Sequence, residues 1–116
     1  MSKRRDREFL LDIKEAGERI RGYIGAMSYE EFLQDIKTQD AVIRNIEIIG
    51  EAVKNLSKSL KEEQRDIAWK NIAGMRDKII HFYFGVKWEI VWSVVNDKIP
   101  ELLFKIEAII NEMKGK

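Results

Sequence analysis

Four polar side chains of different chemistry, Arg76, Asp77, His81 and Tyr83, stand within eight residues of one another. A guanidinium can neutralise charge that builds on phosphoryl oxygens, through paired hydrogen bonds that a lysine does not reproduce. An imidazole can move a proton near neutral pH. Together they suit cleavage of a phosphodiester. On RNA the nucleophile is the substrate's own 2′-hydroxyl, so this chemistry requires neither a metal nor a protein nucleophile. Asp77 can hold the imidazole in one tautomer; its plainer reading is an exposed carboxylate paired with Lys70 or Lys78. His81, the single histidine of the chain, also has a plainer reading, a helix-end side chain satisfied by a backbone carbonyl.

Spacing decides how these groups can meet. On a helix of 3.6 residues per turn, positions 76 and 83 fall within about 20° of each other and positions 77 and 81 share a face, whereas 76 and 81 diverge by about 140°. Cooperation between Arg76 and His81 then needs the long reach of arginine, a distorted helix end or a second copy of the chain.

The elements that must position them read as helices, because Pro100 is the one proline and the seven glycines are scattered. Apolar residues from Phe9 to Ile24 trace a stripe from Arg7 to a stop near Gly22 or Gly25. Ser28 and Glu31 form a capping box for a short helix over Tyr29 to Ile36. Thr38 is expected to cap a long third helix, to about Ser57, with Ala41, Val42, Ile46, Ile49, Gly50, Val53 and Leu56 inward. The polar segment Ser57 to Asp66 reads as a solvated connection with a turn of helix. Trp69, Ile72, Met75, Ile79 and Ile80 suit a helix broken by Phe82, Tyr83, Phe84 and Gly85. A last helical pattern runs from Trp88 to Met113, with a kink expected at Asn96, Asp97 and Pro100 and Asp97 capping its second half. The expectation is an all-α fold in one domain, residues 1–116: an up-and-down bundle of four main helices with one short extra helix.

Composition narrows the function classes. Twenty-one Lys and Arg against 20 Asp and Glu give a net charge of +1, which excludes a uniformly basic nucleic-acid coat and makes any polyanion contact local. Cysteine is absent, so disulfides, thiolate catalysis and cysteine zinc sites are excluded. No metal is expected: Glu47 and Glu51 could approach a hard cation, but nothing completes an oxygen shell. The charged start and the lack of a long apolar run predict no signal peptide and no membrane span, hence a cytoplasmic chain. Lys3, Arg4, Arg5 and Arg7 read as a solvated or disordered tail. Trp69, Trp88 and Trp92 read as core or dimer interface rather than as base-stacking platforms. On the third helix Asp40, Arg44, Glu47, Glu51 and Lys54 form a charged stripe, either simply solvated or placing Arg44, Glu47 or Glu51 at the border of a cleft where they orient Arg76 or His81.

Arg76, four intervening residues and His81, followed by Tyr83, make an Arg-x4-His-x-Tyr pattern. With the flanking blocks Lys37 to Asn45, Ile48 to Ala52, Gly74-Met75-Arg76, Tyr83-Phe84-Gly85 and Ile90-Val91-Trp92, the chain resembles the HEPN toxins of the HepT type. These are ribonuclease partners of minimal nucleotidyltransferases in prokaryotic toxin–antitoxin pairs. The resemblance runs from about Arg5 to Ile110, with Asp77 where Asn is common and Phe82 where a smaller or polar residue is frequent. It implies a homodimer whose two copies of Arg76 and His81 line one metal-independent, cofactor-free RNase cleft. It also implies that a cognate nucleotidyltransferase antitoxin transfers AMP to Tyr83 and so blocks RNA. The competing readings are a non-catalytic helical module that binds a nucleotide or docks the nucleotidyltransferase, and a purely structural bundle.

Overall fold

Apolar residues recurring at three and four positions give helices with one face to bury. The computed structural model describes residues 2–81 and 87–114, with backbone alone at 2–4, 76 and 79–81. Among these residues there is no strand. The helices are α1 (Ser2–Ile24), α2 (Tyr29–Gln34), α3 (Ile36–Asn55), α4 (Lys58–Glu63), α5 (Trp69–His81), α6 (Trp88–Ser93) and α7 (Ile99–Lys114), with a π-helical turn, Val94–Lys98, joining the last two. The fold is all-α, as the sequence predicts. Helix α1 packs along α3 and α7, and α3 also packs against α5, so α3 lies between the first helix and the one carrying Arg76 to His81.

Leu10, Ile13 and Ile20 of α1, Val42, Ile46, Ile49 and Val53 of α3, and Ile99 and Ile106 of α7 are essentially without solvent contact. Burying each such side chain contributes about 1.5–3 kcal/mol. A Cβ on Gly17 would fall 2.7 Å from the Leu103 side chain, so glycine is what lets α1 approach α7. Gly25 ends α1 at φ +49°, a left-handed conformation that favours glycine, and its amide donates to the Arg21 carbonyl at 2.8 Å.

Several boundaries differ from the sequence reading. The basic N-terminus is the first turn of α1 rather than a disordered tail, and Arg5 stacks over the Phe9 ring at 5.9 Å. Asp35, not Thr38, caps α3: its carboxylate accepts from the Thr38 amide at 3.0 Å, and that hydrogen bond holds its carboxyl below the usual carboxylate range. Aspartate wins here because it lies immediately before the first helical residue. The connection after α3 contains a six-residue helix, α4, capped by Ser57. The same Ser57 is tied to α1, since buried Asp6 accepts from its amide at 2.8 Å and from its hydroxyl at 2.6 Å.

Asp97 does not cap a restarted helix. Pro100 has no amide to give the Asn96 carbonyl, and the chain absorbs the loss by widening one turn, with the Ile99 amide reaching the Val94 carbonyl. The Asp97 side chain instead accepts from Ser93 Oγ at 3.2 Å. Among the described residues no helix is long and apolar enough to cross a membrane.

Candidate active site

Trp69 sets where α5 begins: it is buried, and its indole N–H donates to the Gln64 carbonyl at 3.1 Å. Trp69 is thus core, as its spacing predicts. Ile72 and Met75 follow it, half-buried against the core. From there α5 continues to His81, so the backbone positions of Arg76, Asp77 and His81 occupy one uninterrupted helix. Asp77 and His81 are one turn apart on a common face, and Arg76 and His81 diverge by about 140° around the axis. The side chains of Arg76 and His81, and the whole of Tyr83 with Phe82, Phe84 and Gly85, lie outside the described residues.

Asp77 is exposed at the α3–α5 contact, and its Oδ1 stands 3.5 Å from Lys54 Nζ of α3. This ion pair reaches across to the neighbouring helix, where the sequence reading offered Lys70 or Lys78 of the same helix as partners. Because both partners are about half exposed, solvent screens the attraction and the pair contributes less than about 1 kcal/mol. Lys54→Met is therefore expected to lower stability by less than about 1 kcal/mol, read as the urea midpoint at constant slope. A larger loss would make the pair a principal clamp on α5.

The charged stripe of α3 is partly gathered into a groove. Arg44, Glu47 and Glu51 line a concavity of about 400 Å³ with Phe9 and Asp12 of α1. Glu47 and Lys54 are seven residues apart, within about 20° on the helix, so Glu47 lies between this groove and the side of α3 that meets α5. No group of three or more His, Cys, Asp or Glu suited to hold a metal occurs among the described residues.

A second concavity, of about 500 Å³, runs between α5 and the π-turn with α7, and Lys70, Lys78 and Lys98 stand along it. Sequence reading did not gather these three. The available signal was the spacing of Lys70, Gly74 and Lys78, which recur every four residues on one stripe of α5; Lys98 joins them only through the tertiary fold.

A family model described as Ribonuclease HepT-like matches residues 13–109. Among curated proteins, the chain is 45% identical over 116 residues to "Putative RNase MJ0127" of Methanocaldococcus jannaschii, covering 100% of this chain and 96% of that one. It is 46% identical over 107 residues to "Probable ribonuclease HepT" of Thermococcus cleftensis, covering 92% and 97%. No solved structure matches.

Proposed function

The chain belongs to the HepT-like ribonuclease family, and from that membership we propose that it is a metal-independent endoribonuclease toxin, active as a homodimer. The observation that carries the reading is the placement of Arg76, Asp77 and His81 on one regular helix, α5. Two groups about 140° apart around an axis do not converge on one phosphate from a single helix without long reach, but two copies related by a twofold axis can supply them from opposite sides.

In this reading His81 takes the proton from a ribose 2′-hydroxyl. The freed oxygen attacks the adjacent phosphorus, and the bond to the 5′-oxygen breaks as that oxygen is protonated by an imidazolium. The products are a 2′,3′-cyclic phosphate and a 5′-hydroxyl. Arg76 stabilises the extra negative charge on the phosphoryl oxygens in the transition state. Asp77 shares the His81 face and orients the imidazole, while Lys54 holds the carboxylate near the α3 side. Arg44, Glu47 and Glu51 border the approach from α3. The substrate's own hydroxyl is the nucleophile, so neither a metal nor a cofactor is called on. Purified dimer incubated with RNA and a chelator should leave cyclic-phosphate ends. A stable dimer that cuts no RNA overturns the reading in favour of a helical module without catalysis.

Neutralisation follows from Tyr83. In a cytoplasm holding ATP and a cognate minimal nucleotidyltransferase, the Tyr83 oxygen attacks the α-phosphorus, an adenylyl group is transferred and pyrophosphate leaves. The added bulk and negative charge then repel RNA phosphates. Co-expression with that partner should raise the mass by one or more adenylyl units and silence cleavage. Tyr83→Phe should gain no mass and stay active, and an unmodified but silenced wild-type protein would overturn this route.

A further inference from the structure

We infer that the groove between α5 and the π-turn with α7 is the path of single-stranded RNA flanking the scissile phosphate, with Lys70, Lys78 and Lys98 as its phosphate contacts. The inference rests on the ribonuclease reading above and names the part of the substrate that this face holds. Charge favours it first. Four lysines and two carboxylates line the groove, a local +2 in a chain whose net charge is +1. Both carboxylates are already engaged by one lysine: Lys105 Nζ stands 4.0 Å from Asp66 Oδ2 and 3.3 Å from Glu101 Oε1. Lys70, Lys78 and Lys98 make no ion pair among the described residues, so three cations remain on the rim for an anionic ligand.

Gly74 favours it independently. It stands midway between Lys70 and Lys78 on α5 and lines the groove, yet a Cβ there would meet nothing within 4 Å. Glycine destabilises a helix interior relative to alanine, and nothing among the described residues requires it. A ligand backbone passing close to α5 does. The opposite wall is also suited to the task. The π-turn just before Pro100 carries both Val94 and Lys98, and both line the groove; such turns are frequent at functional sites.

Lys70 to Lys78 spans about 12 Å along α5, and His81 follows about 4.5 Å further on, so a strand seated here runs toward the cutting position. The floor is apolar, formed by Ile72, Met75 and Leu102 among others. It suits an unstacked base and not a duplex, whose base faces are hidden.

Anisotropy with a short fluorescent 2′-O-methyl RNA, which binds but cannot undergo 2′-hydroxyl attack, tests the path. Wild type is compared with the triple variant Lys70→Gln, Lys78→Gln, Lys98→Gln, and with a control that removes three charges elsewhere, Lys37→Gln, Lys61→Gln, Lys114→Gln. The groove triple should bind at least about tenfold more weakly, and the slope of log affinity against log salt should fall by about 2, roughly 0.7 for each phosphate no longer neutralised. Gly74→Leu, which adds a side chain into open space, should weaken binding by about tenfold without unfolding. Equal weakening in groove and control triples, or an unchanged groove triple beside a wild type that binds and cuts RNA, overturns the path. A groove triple that sediments as monomer where wild type is a dimer also overturns it, making this face an interface between copies. A wild type that neither binds nor cuts RNA instead sinks the ribonuclease reading itself.

Discussion

His81→Ala and Arg76→Ala are each expected to slow RNA cleavage by about a hundredfold or more. Removing His81 deletes the only side chain whose ordinary titration range lies near neutrality. Removing Arg76 deletes a fork of donors that a point charge does not replace, so Arg76→Lys should recover little. Asp77→Asn should cost less, because it alters an orienting carboxylate rather than a group that touches the phosphate. The α5 helix is anchored by Trp69, Ile72 and Met75 at its other end, which predicts that all these variants stay helical by circular dichroism. Mixed dimers sharpen the test. Combining Arg76→Ala subunits with His81→Ala subunits leaves one intact guanidinium and one intact imidazole on opposite copies. If the two groups act across the twofold axis, the mixture recovers activity that each parent lacks. If they act within one chain, or if either single variant cuts at the wild-type rate, the assignment fails.

Most of the fold was legible because helices announce themselves by period. The stripes of α1, α3 and α7 in the sequence are the faces that the structure buries, and the capping box of Ser28 and Glu31 forms as its spacing dictates. The misreadings fall where two local solutions compete. Asp35 and Thr38 are both good caps, and only the path of the chain between α2 and α3 decides for Asp35. At Pro100 the missing amide could stop the helix or widen it. Burial of Val95 and Ile99 before it and of Leu102 and Leu103 after it favours one continuous helix with a π-turn. For the site, residue types and register were legible, because both are local properties of α5. The Lys54 partner of Asp77 and the gathering of Lys70, Lys78 and Lys98 were not, because each depends on helices distant in sequence meeting in space.

Phe32→Ala should destabilise the protein by about 3–5 kcal/mol, a large part of the roughly 5–15 kcal/mol that holds a domain folded. Phe32 is fully buried. Its ring meets Trp88 edge-on at 5.7 Å and Trp92 at 5.3 Å, and Tyr29 stands 5.8 Å from Trp92. Partial burial raises the Tyr29 phenol above its ordinary pKa, and the Glu89 carboxylate beside it adds to the shift. A six-residue helix such as α2 is far too short to persist alone, so its place depends on this cluster and on Gln39, whose Nε2 donates to the Phe32 and Leu33 carbonyls at 2.9 and 3.1 Å. The other half of the cluster is α6, the first described helix after the motif. Loss of the ring therefore releases both α2 and α6, and indole fluorescence should report the change in urea titrations. Phe32→Leu, which keeps most of the volume, should cost less. Ile36→Ala, four residues away but 70% exposed, should stay within about 0.5 kcal/mol of wild type. If Phe32→Ala and Ile36→Ala cost the same, burial in the aromatic cluster is not what fixes α2, and the two tryptophans of α6 must be held by something other than the ring between them.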